Sequence, residues 1–388
     1  MSLSFSQFGN DLYTGARSVP VVARRRTFYI ASGVVLLIAA LGLVVKGINL
    51  SLEFKGGSEF RVSNVTNTDN YEARARDAAG ATQSGVNVTL IGGSTVRVQT
   101  ERLDDQESAQ LGEALATEFG VPQQDVSATF IGPSWGATVS QKALQALVVF
   151  LLLVALVMAA YFRTWKMSVA ALVALAHDLV ITAGIYAWTG FEVSPATMIG
   201  FLTVLGYSLY DTVVVFDKVR ENTAEAFNNG RRSYASAANL AVNQTMVRSI
   251  NTTVVALLPI TAILVVGTFA LGPGTLLDLS LVLFIGILVG GYSSIFIATP
   301  VLVSLRSREE PVVELDKRAE RHDARMARQA AAEEAAEAAA EGDAVGAAHG
   351  GGSVSPAEGA TLTGKAVHQY ARSGPRNQPR RTPKSKRG

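Results

Sequence analysis

The sequence predicts a polytopic α-helical membrane protein: six transmembrane helices, with a small ferredoxin-like α+β extracytoplasmic domain between helices 1 and 2. Three observations predict it. Across 388 residues 48% are hydrophobic and only 17% charged, too apolar a balance for an ordinary soluble fold. Six apolar runs are long enough to cross a bilayer, which takes about 20 helical residues. Between the first two runs lies a segment whose periodicity alternates between strand and helix.

Residues 1–26 form a cytoplasmic N-terminus that ends in Arg24, Arg25 and Arg26. The first span, 27–45, has the basic start and apolar core of a signal peptide. It ends at Lys46 without a small-residue cleavage site, so it is expected to remain as a membrane helix. Within 46–141 the pattern gives a strand at Leu50–Val62, a helix at Asp69–Ala79 and strands at Val86–Ile91 and Val96–Thr100. A helix at Asp104–Phe119 follows, with Leu111, Leu115 and Phe119 on one face, and a last strand at Val126–Ile131. This β-α-β-β-α-β order is the split βαβ plan, with Gly92-Gly93 at the central hairpin. Its acids and bases are scattered and no nucleophile has a base in a recognisable context, which favours a binding or lever domain over an enzymatic one.

The remaining spans, within 142–305, fall at about Ala143–Phe162, Met167–Trp188, Thr197–Phe216, Asn251–Phe269 and Leu276–Leu305. Ser194-Pro195 opens the fourth with an N-cap and a proline at the first helical position. Pro259 is expected to kink or break the fifth. In the sixth, Gly286, Gly290, Gly291, Ser293 and Ser294 permit close helix packing. The tail, 306–388, begins with an Ala/Glu/Arg-rich helix candidate and continues as a Gly/Ser/Pro-rich segment that cannot bury a core, so it is expected to be cytoplasmic and largely disordered. Its basic end, with Arg380, Arg381, Lys384, Lys386 and Arg387, offers electrostatic attachment to anionic lipid or to the ribosome.

Lysine and arginine set the orientation. Arg24–Arg26, Arg163 with Lys166, Lys218–Arg232, and Arg306 with Arg308 share one side, and the short loops Thr189–Ala196 and Ala270–Thr275 carry neither residue. Both termini are therefore expected in the cytoplasm. The chain has no cysteine, which excludes disulfides, iron–sulfur clusters and thiolate sites. Of its four histidines, His322, His349 and His368 lie in the tail, leaving His177 alone in the membrane. No metal, cofactor or catalytic residue is expected.

The chemistry concentrates in Gly206–Asn222, where Asp211 lies inside an apolar span. An acid there usually faces a protein interior or a water path and finds a partner. Arg248, at the polar entry of the fifth span, can occupy similar depth on an antiparallel neighbour, so a charge pair is geometrically available; the alternative is that it snorkels as a positive-inside anchor. Gln244, Thr245, Asn251 and Thr252 supply a polar seam beside it. His177-Asp178, near the middle of the third span, is either a second proton site or a source of interhelical hydrogen bonds. Asp217, Arg220 and Glu221 form a charged rim at the cytoplasmic mouth. Asp278 is expected as an acid in the first turn of its helix.

These residues resemble a known family, the SecF proteins of the bacterial Sec export machinery, within the RND superfamily. The resemblance rests on Leu52-Glu53-Phe54-Lys55-Gly56-Gly57, with Glu53 where Asp is usual, and on Phe130-Ile131-Gly132-Pro133-Ser134-Trp135-Gly136. It continues through Ala176-His177-Asp178, Gly206–Asn222 with Tyr210 where many members have Asn, and Gln244-Thr245 with Arg248. It covers residues 20–305. What it implies is a non-enzymatic subunit in the bacterial plasma membrane that couples proton-motive force to preprotein export, with Asp211 and Arg248 as the proton-responsive pair. The implied partners are SecD, the SecYEG channel, SecA-dependent preproteins and membrane lipids. The alternatives are half of a small-molecule or lipid exporter of the same superfamily, and a static assembly subunit.

Overall fold

The structure, a computed structural model, describes residues 5–80, 86–91, 93–271 and 274–347. It divides into two units, Met1–Met326 and Ala327–Gly388. The second contains, among the described residues, only the end of a long polar helix that stops at Ala347. The basic cluster Arg380–Arg387 lies outside the described residues.

In the first unit the elements run α1 (Phe5–Thr14), α2 (Arg25–Val45), α3 (Leu52–Lys55), β1 (Gly57–Val62), α4 (Tyr71–Ala79), β2 (Asn87–Ile91), β3 (Thr95–Thr100), α5 (Asp105–Phe119) and β4 (Val126–Ile131). The bundle follows as α6 (Pro133–Phe162), α7 (Trp165–Thr189), α8 (Pro195–Asn229), α9 (Tyr234–Val266), α10 (Thr275–Ser293) and α11 (Thr299–Arg306), and then α12 (Glu310–Ala347) begins. Six helices are long and apolar enough to cross a membrane: α2, α6, α7, α8, α9 and the combined α10–α11. Alpha-helical hydrogen bonding satisfies their backbones internally, as lipid requires.

The four strands form one antiparallel sheet in the order β2-β3-β1-β4. Strands 1 and 2 are therefore parallel and split by strand 3, which is the ferredoxin-like arrangement. Phe60 pairs with Val98 and with Ala128, and Val62 with Val96 and Val126. This face meets Leu111, Leu115 and Phe119 of α5 to form the domain core. Asp104 caps α5 with a full capping box, its carboxylate accepting from Glu107 N at 2.7 Å. Of the predicted hairpin glycines, Gly93 adopts φ +75°, and Gly92 lies outside the described residues.

The expected strand Leu50–Val62 is shorter than the pattern suggested. Leu52–Lys55 is a helical turn, and only Gly57–Val62 pairs in the sheet. Phe54 explains the turn: it is buried at the junction with Tyr186, Val193, Phe201 and Val282 from the bundle. The chain then leaves α3 through Gly56 (φ +77°) and Gly57 (φ +142°). A Cβ on Gly57 would also stand 2.5 Å from Thr100 O, and one on Gly136 the same distance from Phe54 O, so both glycines are sterically required.

The sheet domain is stitched to the loop before α8. Leu50 bridges Val193, Ser51 N donates to Val193 O at 3.0 Å, and Val193 N donates to Asn49 O at 2.8 Å. Arg97 and Asn87, on the sheet's open face, both reach the Glu192 carboxylate at 3.2 Å. Ser194 then caps α8 with Thr197, and Pro195 occupies its first turn, as the sequence implied.

Inside the bundle, α7, α8 and α10 are half-buried, whereas α2, α6 and α9 turn most of their apolar surface outward. Small residues fix the contacts. Ala39 packs on Gly184, and Trp188 covers Gly42 while its Nε1 donates to Ile38 O at 2.8 Å, which ties α2 to α7. A Cβ on Gly286 would stand 2.5 Å from Val204, so α10 approaches α8 closely there. Helix α9 runs unbroken through Pro259, and the departure from α-geometry comes instead at a π-turn, Gly267–Leu271. A second π-turn, Ser294–Ala298, joins α10 to α11.

Residues before α2 pack across α9. Asn243 accepts from Val19 N at 2.7 Å and donates to Val19 O at 3.0 Å, Asn239 accepts from Val22 N at 3.0 Å, and Leu12, Val21 and Val22 enter the bundle core. At the same end, Lys166 and Arg306 hold Glu309 at 2.9 and 3.0 Å, which fixes the turn into α12.

Two outcomes follow from this packing. Gly286→Ala should lower the melting temperature clearly, because Val204 must move, whereas Gly33→Ala, with open space around it, should be neutral or stabilising by up to about 1 kcal/mol from helix propensity alone. Thermal melts of both variants in one detergent check this. Burial pushes the Glu309 carboxyl up, but the bonds from Lys166 and Arg306 outweigh it and hold it below its ordinary value. Its contribution is therefore present at neutral pH and is lost as pH falls from the ordinary glutamate range through the lowered value. Glu309→Gln should flatten that part of the acid limb in a melting-temperature profile.

Candidate functional site: two serine-held acids in the bundle

Asp178 on α7 is fully buried and Asp211 on α8 is 5% exposed. In a buried bundle face each carboxylate oxygen needs a donor. The donors are chiefly serine hydroxyls. Ser249 on α9 donates to Asp211 Oδ1 at 2.8 Å, and Ser294, the first residue of the π-turn, donates to Oδ2 at 2.5 Å. Ser208 on α8 and Ser293 at the end of α10 both donate to Asp178 Oδ2, at 2.6 and 2.8 Å. His177 Nδ1 is 3.0 Å from Asp178 Oδ1.

Two neighbouring serines thus reach two different acids, and the glycines beside them make this possible. A Cβ on Gly290 would lie 3.0 Å from Ser208 Cβ and 3.6 Å from Asp178 Oδ2, and one on Gly291 would lie 2.8 Å from Thr253 Oγ1. Added methyls there would crowd Ser208 and Thr253, so the bare backbone favours the close approach of α10.

His177 is itself buried, stacks on Tyr292 with ring centroids 6.2 Å apart, and its Nε2 has no hydrogen-bond partner. It lines a crevice of about 390 Å³ between α2, α7 and α10, together with Ser32, Val35, Ile181, Leu288 and Tyr292. Ser32 and Tyr292 bond each other across it at 3.1 Å.

The structure does not pair Asp211 with Arg248. Ser249 occupies the buried face of α9 at that level, and Arg248, about 100° further around the helix, is exposed. Its Nη2 donates to the Tyr210 hydroxyl at 3.3 Å, so Tyr210 holds the guanidinium. The polar seam is likewise divided. Thr245 is buried and bonds its own helix at Ala241 O and Val242 O, and Thr252 bonds Ser249 O. Asn251 is exposed, and Gln244 links Asn222, at 2.9 Å, to Tyr13 O, at 3.3 Å. Asp217, Arg220 and Glu221 are exposed, with Lys218 bonding Glu221 at 2.7 Å. Asp278 lies in the first turn of α10, as expected. No group of three or more His, Asp or Glu side chains suited to a metal occurs among the described residues.

Sequence reasoning named both acids but missed Ser208, Ser249, Ser293 and Ser294 as their partners. The available signal was a pair of adjacent hydroxyls in mid-span beside a glycine run.

Comparison with known proteins decides the family. Residues 112–308 match the family described as protein export membrane protein SecD/SecF, C-terminal, and residues 41–63 match the SecD/SecF GG motif. The chain belongs to the SecD/SecF family. Within it, the chain is 43% identical over 317 residues to the protein translocase subunit SecF of Streptomyces coelicolor, covering 80% of this chain and 83% of that one. It is also 43% identical over 319 residues to the SecF of Mycobacterium tuberculosis, covering 80% and 72%. The crystal structure of SecDF from Thermus thermophilus, a translocon-associated membrane protein, superposes with a TM-score of 0.66 at 29% identity. That match covers 75% of this chain and 39% of the SecDF chain. The GG motif corresponds to Gly56-Gly57, whose positive φ values and contact with Thr100 were described above.

Removing a hydroxyl from an acid should cost stability. Ser249→Ala and Ser208→Ala are each expected to destabilise by about 1 kcal/mol, in line with interhelical hydrogen bonds in membranes. Thr203→Ala, which removes only a bond to Ile199 O on its own helix, should cost less. Denaturant unfolding of the three variants in one bicelle preparation measures the order.

Proposed function

We propose that the chain is a SecF-type accessory subunit of the Sec protein translocase that couples proton-motive force to preprotein export, with Asp211 as the proton acceptor. The named SecF relatives support the translocase assignment, and the fused SecDF of Thermus thermophilus supports a SecD-type partner. The observation that carries the coupling is a carboxylate at 5% exposure inside a membrane helix, supplied with donors from two other helices. Each donor also fixes geometry, so protonation of the acid changes what α9 and the π-turn can bond. Moving one charge through a 100 mV potential provides about 2.3 kcal/mol, enough to bias a two-state element.

In this reading His177 and Asp178 form a second protonatable centre, and Arg248 approaches Asp211 only in another conformation of α8 and α9. Gln244, Thr245, Asn251 and Thr252 line the α9 side of the route, and Asp217, Arg220 and Glu221 are its rim. The sheet domain, tied by Val193 and Glu192 to the start of α8, passes the movement to a preprotein outside. The protein lies in the plasma membrane with both termini cytoplasmic, consistent with Arg163, Lys166, Arg231, Arg232 and Arg306 at the bundle end away from the sheet. It works beside SecYEG on SecA-dependent preproteins and performs no catalysis of its own.

Asp211→Asn and Arg248→Ala should insert and assemble normally. In inverted vesicles that contain the SecD-type partner, each should slow the proton-dependent part of export about tenfold or more, a change of about 1.4 kcal/mol in barrier. The part driven by ATP alone should persist. Wild-type rates from the Asp211 variant would overturn the role.

A further inference from the structure

We propose that Ser293 and Ser294 are positioning residues that read the protonation of Asp178 and Asp211 into the backbone of the α10–π-turn junction. This rests on the proton reading above and goes beyond it by naming the element that responds.

The geometry of each hydroxyl points to a two-position switch. Ser294 Oγ has two acceptors within reach, Asp211 Oδ2 at 2.5 Å and its own helix's Gly291 O at 3.2 Å. Ser293 Oγ likewise has Asp178 Oδ2 at 2.8 Å and Gly290 O at 3.2 Å. A hydroxyl carries one proton and two acceptor lone pairs. With the acid ionised, that proton goes to the carboxylate. With a proton on Asp211 Oδ2, the acid donates to Ser294 Oγ instead and the serine proton passes to Gly291 O; on Asp178 Oδ2, which Ser208 also reaches, a proton directed at Ser293 Oγ has the same effect through Gly290 O.

The Gly290 carbonyl, the acceptor on the Ser293 side, is not a neutral spectator. Gly290 O also accepts Ser294 N–H, the last α-type bond before the π-turn begins. A second donor at Gly290 O weakens that bond, and the turn between α and π register lies immediately beyond it. Single π-turns inside α-helices recur at functional positions. Beyond the turn, α11 leads to Arg306 and the Lys166–Glu309 contacts at the far end of the bundle. Protonation in mid-span thus has a covalent path to that end.

The other titratable or charged groups around the two acids leave this arrangement intact. His177 engages Asp178 at Oδ1, the oxygen the serines do not use, and Tyr292 is bonded to Ser32. Arg248 is held by Tyr210 on the exposed side, and Tyr29 of α2 bonds Ser304. The Tyr207 hydroxyl is buried without a partner on α8.

The test is solid-state NMR of the full chain in lipid bilayers, following the carboxyl carbon of Asp211 and the carbonyl carbons of Gly290 and Gly291 across about pH 4 to 9. In the wild type the Gly291 resonance should move with the same midpoint as the Asp211 carboxyl. The movement should vanish in Asp211→Asn and in Ser294→Ala, and return in Ser294→Thr, whose hydroxyl keeps the same choice of acceptors. Ser293→Ala should silence Gly290 while leaving Gly291 responsive. An Asp211 carboxyl that titrates while Gly291 stays fixed in the wild type overturns the inference but not the proton reading. An Asp211 carboxyl that does not titrate overturns both.

Discussion

The close approach of α10 to α7 and α8 is the contact on which the rest of the bundle depends. Gly286 brings backbone so near Val204 that an added Cβ would stand 2.5 Å from it, and Gly290 lies close against Ser208 and Asp178. Helix association in lipid has no hydrophobic gain to draw on, so close packing and interhelical hydrogen bonds must supply it. Here both arise from one stripe, since the same bare backbone that packs against Val204 also presents Ser293 and Ser294 to the acids. Stability and the proposed chemistry therefore share one set of atoms. A buried acid in lipid is costly when it lacks donors, and each of these has hydroxyl donors from two separate elements.

The same logic orders the junction with the sheet domain. Leu50–Val193 pairing and the Arg97–Glu192 contact place a small folded domain directly on the residues that start α8, the helix carrying Asp211. Phe54, in its short helical turn, fills the gap beneath with Tyr186, Phe201 and Val282. A rigid α8 joins that anchor to the acid about four turns further along. Motion at one end of such a helix is felt at the other without any intermediate chain of side chains.

Arg248 gives a different lesson. Its depth in the sequence suited a pair with Asp211, yet depth alone does not settle a partner; azimuth does. One residue along, Ser249 takes the inward position, and the guanidinium turns outward to Tyr210. The acid and the arginine thus face different surroundings in this conformation.

What the sequence determined by itself was everything governed by local pattern. Apolar length marked six spans, the alternation of periods marked the β-α-β-β-α-β domain, Ser194-Pro195 marked the start of α8, and the two acids stood out because charge in an apolar span is expensive. Leu52–Lys55 escaped that pattern because its fold is set by where Phe54 is buried, a contact with residues more than a hundred positions away. The partners of the acids escaped it for the same reason. A serine is unremarkable in any helix, and whether it bonds its own carbonyl or a neighbour's carboxylate depends on how close and at what rotation the next helix lies. Only the tertiary structure decided that, because interhelical distance is fixed by the glycines and serines of α10 and its π-turn acting together with donors on α8 and α9.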